Sequence, residues 1–191
     1  MLEEAELIQA ARKGNEYACD RLMQDHHEVV FRLAYLMLGD TDDAADVAQE
    51  TFIRAFNSLA RFDASRPLRP WLCRIAANLA RNRRRSAGRY WYNLRRFARL
   101  LPDEPPTLES ETEAQFQSRR LWQAVRTLSA DHQHIIYLRY FLEFSVQDTA
   151  DALDIASGTV KSRLHRALNQ LRAVIETDFP ELQEAVGIYH D

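Results

Sequence analysis

Between Glu16 and Leu38, apolar residues recur three and four positions apart: Ala18, Leu22, Val29, Val30, Leu33, Ala34 and Met37. That spacing places them on one face of a helix, and the same rhythm returns along most of the chain, which predicts an all-α fold. With 5 Gly and 6 Pro in 191 residues and no run of alternating β-branched residues, a sheet has little to build from. Gly14-Asn15 and Gly39 punctuate the first 60 residues into three expected helices. The first carries Leu7, Ile8, Ala10 and Ala11, and the second runs from Glu16 to Leu38. The third is capped by Asp40 or Thr41 and opens on Asp42 and Asp43, acids that the helix dipole favours there. Its expected core stripe is Ala45, Ala48, Phe52, Ala55, Phe56 and Leu59.

A loop over Phe62–Pro70 follows, with Pro70 suited to the first position of a fourth helix whose apolar face is Trp71, Leu72, Ile75, Ala76 and Leu79. From Leu101 to Gln115 the composition turns to Pro, Ser, Thr and acid, the mark of a flexible linker. Two helical domains are therefore expected, over residues 1–100 and 116–176, with an acidic tail over 177–191. In the second domain Ser145 and Asp148 resemble a capping box opening a short helix. After Asp154-Ile155-Ala156, Ser157 is the expected cap of a longer helix with the stripe Val160, Leu164, Ala167, Leu168, Leu171 and Val174. A short helix, a tight turn and a longer helix with cations in its first turns make a helix-turn-helix.

The net charge of −3 conceals a strong partition. Residues 61–99 hold 12 Arg against the single Asp63, whereas residues 1–60 carry 12 acids against 5 bases. The linker and the tail are acidic, and residues 119–175 are mildly basic. A chain so divided suits contact with a polyanion at two places and with a basic partner at a third. No stretch of about 18 apolar residues occurs and the N-terminus is acidic, so neither a membrane insertion nor a secretory signal is expected. Cys19 and Cys73 sit on apolar helical faces, as reduced thiols of a cytoplasmic protein do.

Three groups of residues are candidates for function. Thr159, Lys161, Ser162, Arg163 and Arg166 point away from the stripe of the last helix, and with Ser157 they can meet base edges and phosphate in a major groove; the plain alternative is a solvated face. Arg74, Asn78, Arg81 and Arg85 form a stripe on the fourth helix, near Phe62, Arg66, Trp71, Tyr90, Trp91 and Tyr92. Cations with aromatic faces are what unpaired nucleic acid needs, although Trp71 also shares a face with the core residue Ile75. Asp46, Gln49 and Glu50 lie at i, i+3 and i+4 as one polar patch, either a docking surface or simply a solvated one. The six His show no metal-ligand spacing, and neither a glycine-rich phosphate loop nor a nucleophile–base signature is present, so no catalytic residue, metal or cofactor is expected.

Three segments in series carry a family resemblance. Asp46-Val47-Ala48-Gln49-Glu50-Thr51-Phe52 resembles the polymerase-binding segment of bacterial sigma factors. Pro70-Trp71-Leu72-Cys73-Arg74-Ile75-Ala76-Ala77-Asn78 resembles the promoter-melting segment of the small extracytoplasmic-function (ECF) type, within the sigma-70 family. The run from Gly158 to Ala167 is similar to that family's −35 recognition helix. The chain departs from the pattern at Leu68, where an aromatic is common, at Asn82 and Asp148, where Asp and Glu are usual, and at Asp154, where Gly is common. The resemblance implies a sigma-2-like bundle and a sigma-4-like helix-turn-helix domain that bring core RNA polymerase to promoter DNA. It implies contact of Asp46, Gln49 and Glu50 with the β′ clamp, of the second domain with the β flap, and an anti-sigma partner as a common companion. It also implies −10 contact by Phe62, Arg66, Trp71, Arg74, Asn78, Arg81 and Arg85, and −35 contact by Ser157, Thr159, Lys161, Ser162, Arg163 and Arg166. A stand-alone helix-turn-helix regulator binding an operator as a dimer would account for residues 120–175 but leave the other two segments without a task.

Overall fold

The computed structural model describes the backbone of residues 3–95 and 113–182, and the side chains of 3–85 and 116–182. The expected linker up to Thr112, the aromatic side chains of Tyr90, Trp91 and Tyr92, and the tail from residue 183 lie outside the described residues. Eight α-helices are described: α1 (Glu4–Arg12), α2 (Glu16–Leu38), α3 (Thr41–Ser58), α4 (Leu68–Arg95), α5 (Glu113–Thr127), α6 (Ala130–Ile136), α7 (Val146–Leu153) and α8 (Ser157–Asp178). The described residues contain no strand.

Helix α2 begins where the Asn15 side chain accepts from the Ala18 N–H and ends where Gly39 turns left-handed at φ 75°. That conformation favours glycine, and a Cβ there would also lie 3.1 Å from the Arg126 guanidinium. Asp40 caps α3 by accepting from Asp43 N–H, as one of the two expected alternatives. The core stripe of α3 is shifted from the expected one: Ala44, Val47, Ala48, Thr51, Phe52 and Ala55 are buried, while Ala45 is exposed. Small residues at both 44 and 45 leave the helix rotation to be set by its neighbours, and Val47 draws the inward face around. Pro70 is the third residue of α4, not the first, which its missing N–H permits because no N–H of the first turn has an intrahelical partner.

Helices α1 to α4 pack as one bundle around Leu22, Val30, Leu33, Ala34, Phe52, Leu72, Cys73 and Ala76. Its core runs on into the second domain, through Ile136, Tyr137, Leu138, Leu142 and Phe144. Burial pushes the Cys73 thiol up to about 12, so it stays protonated, and Cys19 is also a free thiol. A smaller cluster of Ala124, Ile175, Phe179 and Leu182 joins the end of α8 to α5. Helix α5 opens at Glu113, slightly before the expected boundary near Phe116.

The capping box of α7 forms as expected, Ser145 Oγ accepting from Asp148 N–H while the Asp148 carboxylate accepts from Ser145 N–H and O–H. The Ser157 cap does not: Ala156 is the N-cap of α8, without a side-chain bond, and Ser157 is the first helical residue. The left-handed Asp154, at φ 58° and ψ 48°, ends α7 where the turn was expected, and α8 starts one residue sooner than the sequence suggests.

His134 is buried beside Arg81, Arg84 and Arg163, with Asp131 opposing them. Burial first, then the arginines, lower its pKa from 6.5 to about 4. A histidine held neutral in the fold contributes stability above its unfolded pKa that is lost as pH falls toward the folded value. Burial likewise lowers His26, against the opposing pull of Glu4. Stability against urea should therefore fall from pH 6.5 down to about 4, by at most about 1.4 kcal/mol per pH unit for one such group. His134→Gln should flatten that slope, and an unchanged slope would show that His134 is not responsible for it.

Candidate nucleic-acid interface

The loop between α3 and α4 is fastened at both ends by α1. Arg12 donates through Nε to Leu59 O at 3.0 Å and through a second, short bond to Phe62 O. Glu4 accepts from Leu68 N–H at 3.1 Å with one carboxylate oxygen and from His26 Nε2 at 3.0 Å with the other. Inside the loop the Asp63 carboxylate accepts from Ser65 N–H and O–H, and these bonds hold its pKa below the usual carboxylate range. Neither Glu4 nor Arg12 stands out in the sequence, because each bonds to backbone far along the chain, which no local pattern records.

On this support the loop and the first turns of α4 form one wall of a cleft of about 460 Å³, lined by Arg61, Phe62, Arg66, Trp71 and Arg74. Phe62 is 7% exposed and its ring packs against half-buried Trp71, centroids 4.7 Å apart and planes tilted by 35°. Trp71 thus packs against the core beside Phe62, and it also lines the cleft. Asn78 and Arg85 are exposed further along α4, and Arg81 is half-buried, its Nε having no hydrogen-bond partner among the described residues.

Asp46 and Gln49 are exposed on α3 and Glu50 is half-exposed beside them, so the polar patch is a real surface. Two of the three have intramolecular partners. Arg83 bridges Asp43 at 2.7 Å and Asp46 at 2.8 Å, which raises the Arg83 pKa, and Glu50 pairs with Arg54 at 2.7 Å. Exposed pairs of this kind are weak, so a basic partner can replace either cation.

At the helix-turn-helix, Ser157, Lys161, Ser162 and Arg166 are exposed on the first turns of α8 and Thr159 is half-exposed. Arg163 is more committed, its guanidinium 3.1 Å from Asp131. Val160 and Ala167 are buried and Leu164 and Leu171 half-buried, so the helix is fixed in rotation and the cations are fixed with it; Leu168, expected inside, is 36% exposed.

The sigma-70 region 2 family matches residues 22–90 and the sigma-70 region 4 family matches residues 118–171. The ECF RNA polymerase sigma factor SigW of Bacillus subtilis is 30% identical over 174 residues, 86% of this chain and 92% of that protein. The chain belongs to the ECF sigma factor family. The ECF sigma factor SigL of Mycobacterium tuberculosis is 35% identical, over 81% of this chain and 87% of its own length. Among solved structures, CnrH in complex with the cytosolic domain of CnrY is similar at a TM-score of 0.66 and 27% identity, covering 92% of this chain and 98% of that one. RpoE from Bartonella quintana, in complex with the anti-sigma factor NepR, has a TM-score of 0.63 at 25% identity, covering 83% of this chain and 97% of that one. The protein is thus a sigma factor, which binds core RNA polymerase and directs promoter recognition and transcription initiation, and the operator-binding regulator is set aside. No helix among the described residues of this sigma factor is long and apolar enough to cross a membrane.

Because α1 holds the ends of the loop, Arg12→Ala should cost about 1.5–3 kcal/mol, the range for hydrogen bonds to a charged donor. Proteolysis should then cut first within residues 62–67, and a loop as resistant as the wild type would show that Arg12 does not fasten it.

Proposed function

We propose that this sigma factor works through three surfaces, each on a different element. Asp46, Gln49 and Glu50 on α3 dock on the β′ clamp. The loop before α4 and the exposed face of α4 capture unpaired −10 bases, with Arg66, Arg74, Asn78, Arg81 and Arg85 meeting phosphate and base and Trp71 offering a π face beside Phe62. The first turns of α8 read the −35 element as duplex through Ser157, Thr159, Lys161, Ser162, Arg163 and Arg166, while the domain that carries them rests on the β flap. The observation that carries this reading is the pairing of a cationic and aromatic cleft wall on α4 with an exposed cationic start of α8, one in each of the two matched regions.

The physical logic needs no chemical step. Opening a duplex costs stacking and pairing, and the cost is least at flexible steps. A surface that holds unpaired bases better than the duplex drives opening without ATP. Arginine suits it because one planar guanidinium can both pair with phosphate and stack on a base. The chain acts as a binding and positioning protein in the cytoplasm, not as an enzyme. Residues 1–100 and 116–176 form its two working domains. The acidic segment Asp103–Glu113, whose charge mimics that of RNA, threads toward the polymerase active-site channel. A protein inhibitor of the kind seen with RpoE and NepR is the expected further partner, competing for the same faces.

Two measurements test the assignment. In gel filtration with bacterial core polymerase, wild type should co-elute, and Asp46→Ala, Gln49→Ala and Glu50→Ala together should weaken the complex at least about tenfold, or about 1.4 kcal/mol. Full binding by the triple variant would remove the docking role from α3. In holoenzyme, Lys161→Ala with Arg166→Ala should weaken promoter binding and make its salt dependence shallower by about two in log–log slope, one for each lost phosphate contact. An unaltered slope would take these two side chains off the DNA.

A further inference from the structure

Arg83 belongs to the cationic run of α4 but does not lie with Arg74, Asn78, Arg81 and Arg85. At 3.6 residues per turn it stands on another side of the helix, in line with Ala76 and Leu79 and turned toward α3. There its terminal nitrogen Nη2 donates to two carboxylates, Asp43 at 2.7 Å and Asp46 at 2.8 Å. The two acids are three residues apart on α3, so they share a face and would repel each other without the guanidinium between them. The bridge uses one of the three guanidinium nitrogens and is open to water, with Arg83 at 39% exposure and Asp46 at 62%. Ala80 is the last buried residue before this stretch, and none of residues 81–85 is buried. Arg81, Arg83, Arg84 and Arg85 put four cations into those five residues, and Asp43 and Asp46 offset their repulsion from the α3 side.

We propose that Arg83 couples polymerase docking to capture of the unpaired strand: Asp43 and Asp46 hold its guanidinium in the free chain, and a basic polymerase surface that takes Asp46 frees it for a phosphate of the strand on α4. This coupling rests on the assignment of Asp46 to the β′ clamp and of α4 to the −10 strand. One residue of the docking patch is thereby also a ligand of the DNA-facing helix. Gln49 is exposed and has no such tie, and Glu50 pairs with Arg54 of its own helix, so the link to α4 runs through Asp46.

A cation brought to Asp46 by the polymerase competes with Arg83 for the same carboxylate. Arg83 is then left with Asp43 alone, a single exposed pair of the weakest kind. A phosphate is the stronger partner for a guanidinium so released, because it accepts two parallel N–H bonds where the bridge to Asp43 and Asp46 uses one nitrogen. Asn82 and Arg85, both exposed within a turn of Arg83, add donors beside it. The effect is reciprocal: a strand that takes Arg83 leaves Asp46 open to the polymerase, so each partner strengthens the other by the same factor. Arg83 carries the raised pKa that two nearby carboxylates impose, with the Asp46 bond as the largest cause.

The test is Arg83→Gln in the full chain, which removes the charge and keeps a polar side chain that suits a helix. Binding to core polymerase should tighten at least about twofold, because Asp46 loses its internal competitor. The DNA probe is a fluorescein-labelled fork, duplex at −35 and single-stranded over the −10 positions, selected by wild-type holoenzyme from randomised sequences. Holoenzyme carrying Arg83→Gln should hold this fork at least about threefold more weakly, with a salt dependence shallower by about 0.7 in log–log slope, the value for one single-strand contact. Opposite effects on the two partners separate coupling from support, since an Arg83 that only props α4 against α3 would weaken both. Arg83→Lys, which keeps the charge, should recover most of the fork binding. In the free chain, Asp43→Asn with Asp46→Asn should bind a labelled 12-nucleotide single strand about threefold more tightly than the equal-charge control Asp20→Asn with Asp42→Asn. Adding Arg83→Gln should abolish that gain. Polymerase binding that fails to tighten, an unchanged hold on the fork, or equal strand affinities for the two Asn pairs each overturn the coupling. If Asp46→Ala, Gln49→Ala and Glu50→Ala together leave polymerase binding intact, the docking assignment fails. If that triple change weakens it while Arg83→Gln alters neither partner, only the coupling fails.

Discussion

Helix α4 has to satisfy two opposed demands, and the arrangement of the molecule follows from how it does so. One side buries Leu72, Cys73, Ala76, Ala77 and Ala80. Three of those five are alanines, so the backbone of α4 can lie close against α2 and α3. The other side carries guanidiniums that cannot enter a core unpaired. The helix is therefore locked in rotation, and its cations project where the packing places them. A helix with a broader apolar face could roll; this one cannot without burying charge.

Locking the helix is not enough to shape the cleft wall, because the loop before it, residues 62–67, has only Phe62, Ala64 and Pro67 as apolar residues. Arg12 and Glu4 of α1 supply what is missing. Each commits a charge to backbone groups at one end of the loop, and Phe62 closes the underside by packing its ring against Trp71. The shortest helix of the bundle thus acts on the site from behind.

The charge partition has a counterpart in three dimensions. Acids of α3 meet Arg83, acids at the end of α7 meet Arg66 and Arg74, and Asp131 meets Arg163. A net charge of −3 on a protein with so cationic a middle is therefore more than an average, since acids stand beside cations on each of the three proposed surfaces. Partial exposure keeps these contacts exchangeable, so a polymerase or DNA surface of the right sign can take either partner.

Helix positions, the left-handed stop at Gly39, the capping box at Ser145 and the helix-turn-helix were legible in the sequence, because they depend on spacing and on residues within a turn of one another. Errors arose where local signals were level: Ala44 against Ala45 on α3, and Ser157 against Ala156 at the start of α8. The three surface patches could be located by charge and periodicity, but not the state of their side chains. Burial of Phe62, the support from Glu4 and Arg12, and the pairing of Arg66 with Asp151 join residues far apart in sequence, some across the two domains. The sequence by itself determined which elements form and which faces carry charge, since helix period and side-chain chemistry are local properties. Which of those charged faces meet each other was decided only by the tertiary structure, because packing joins faces according to shape and total burial, and neither is written in any one segment.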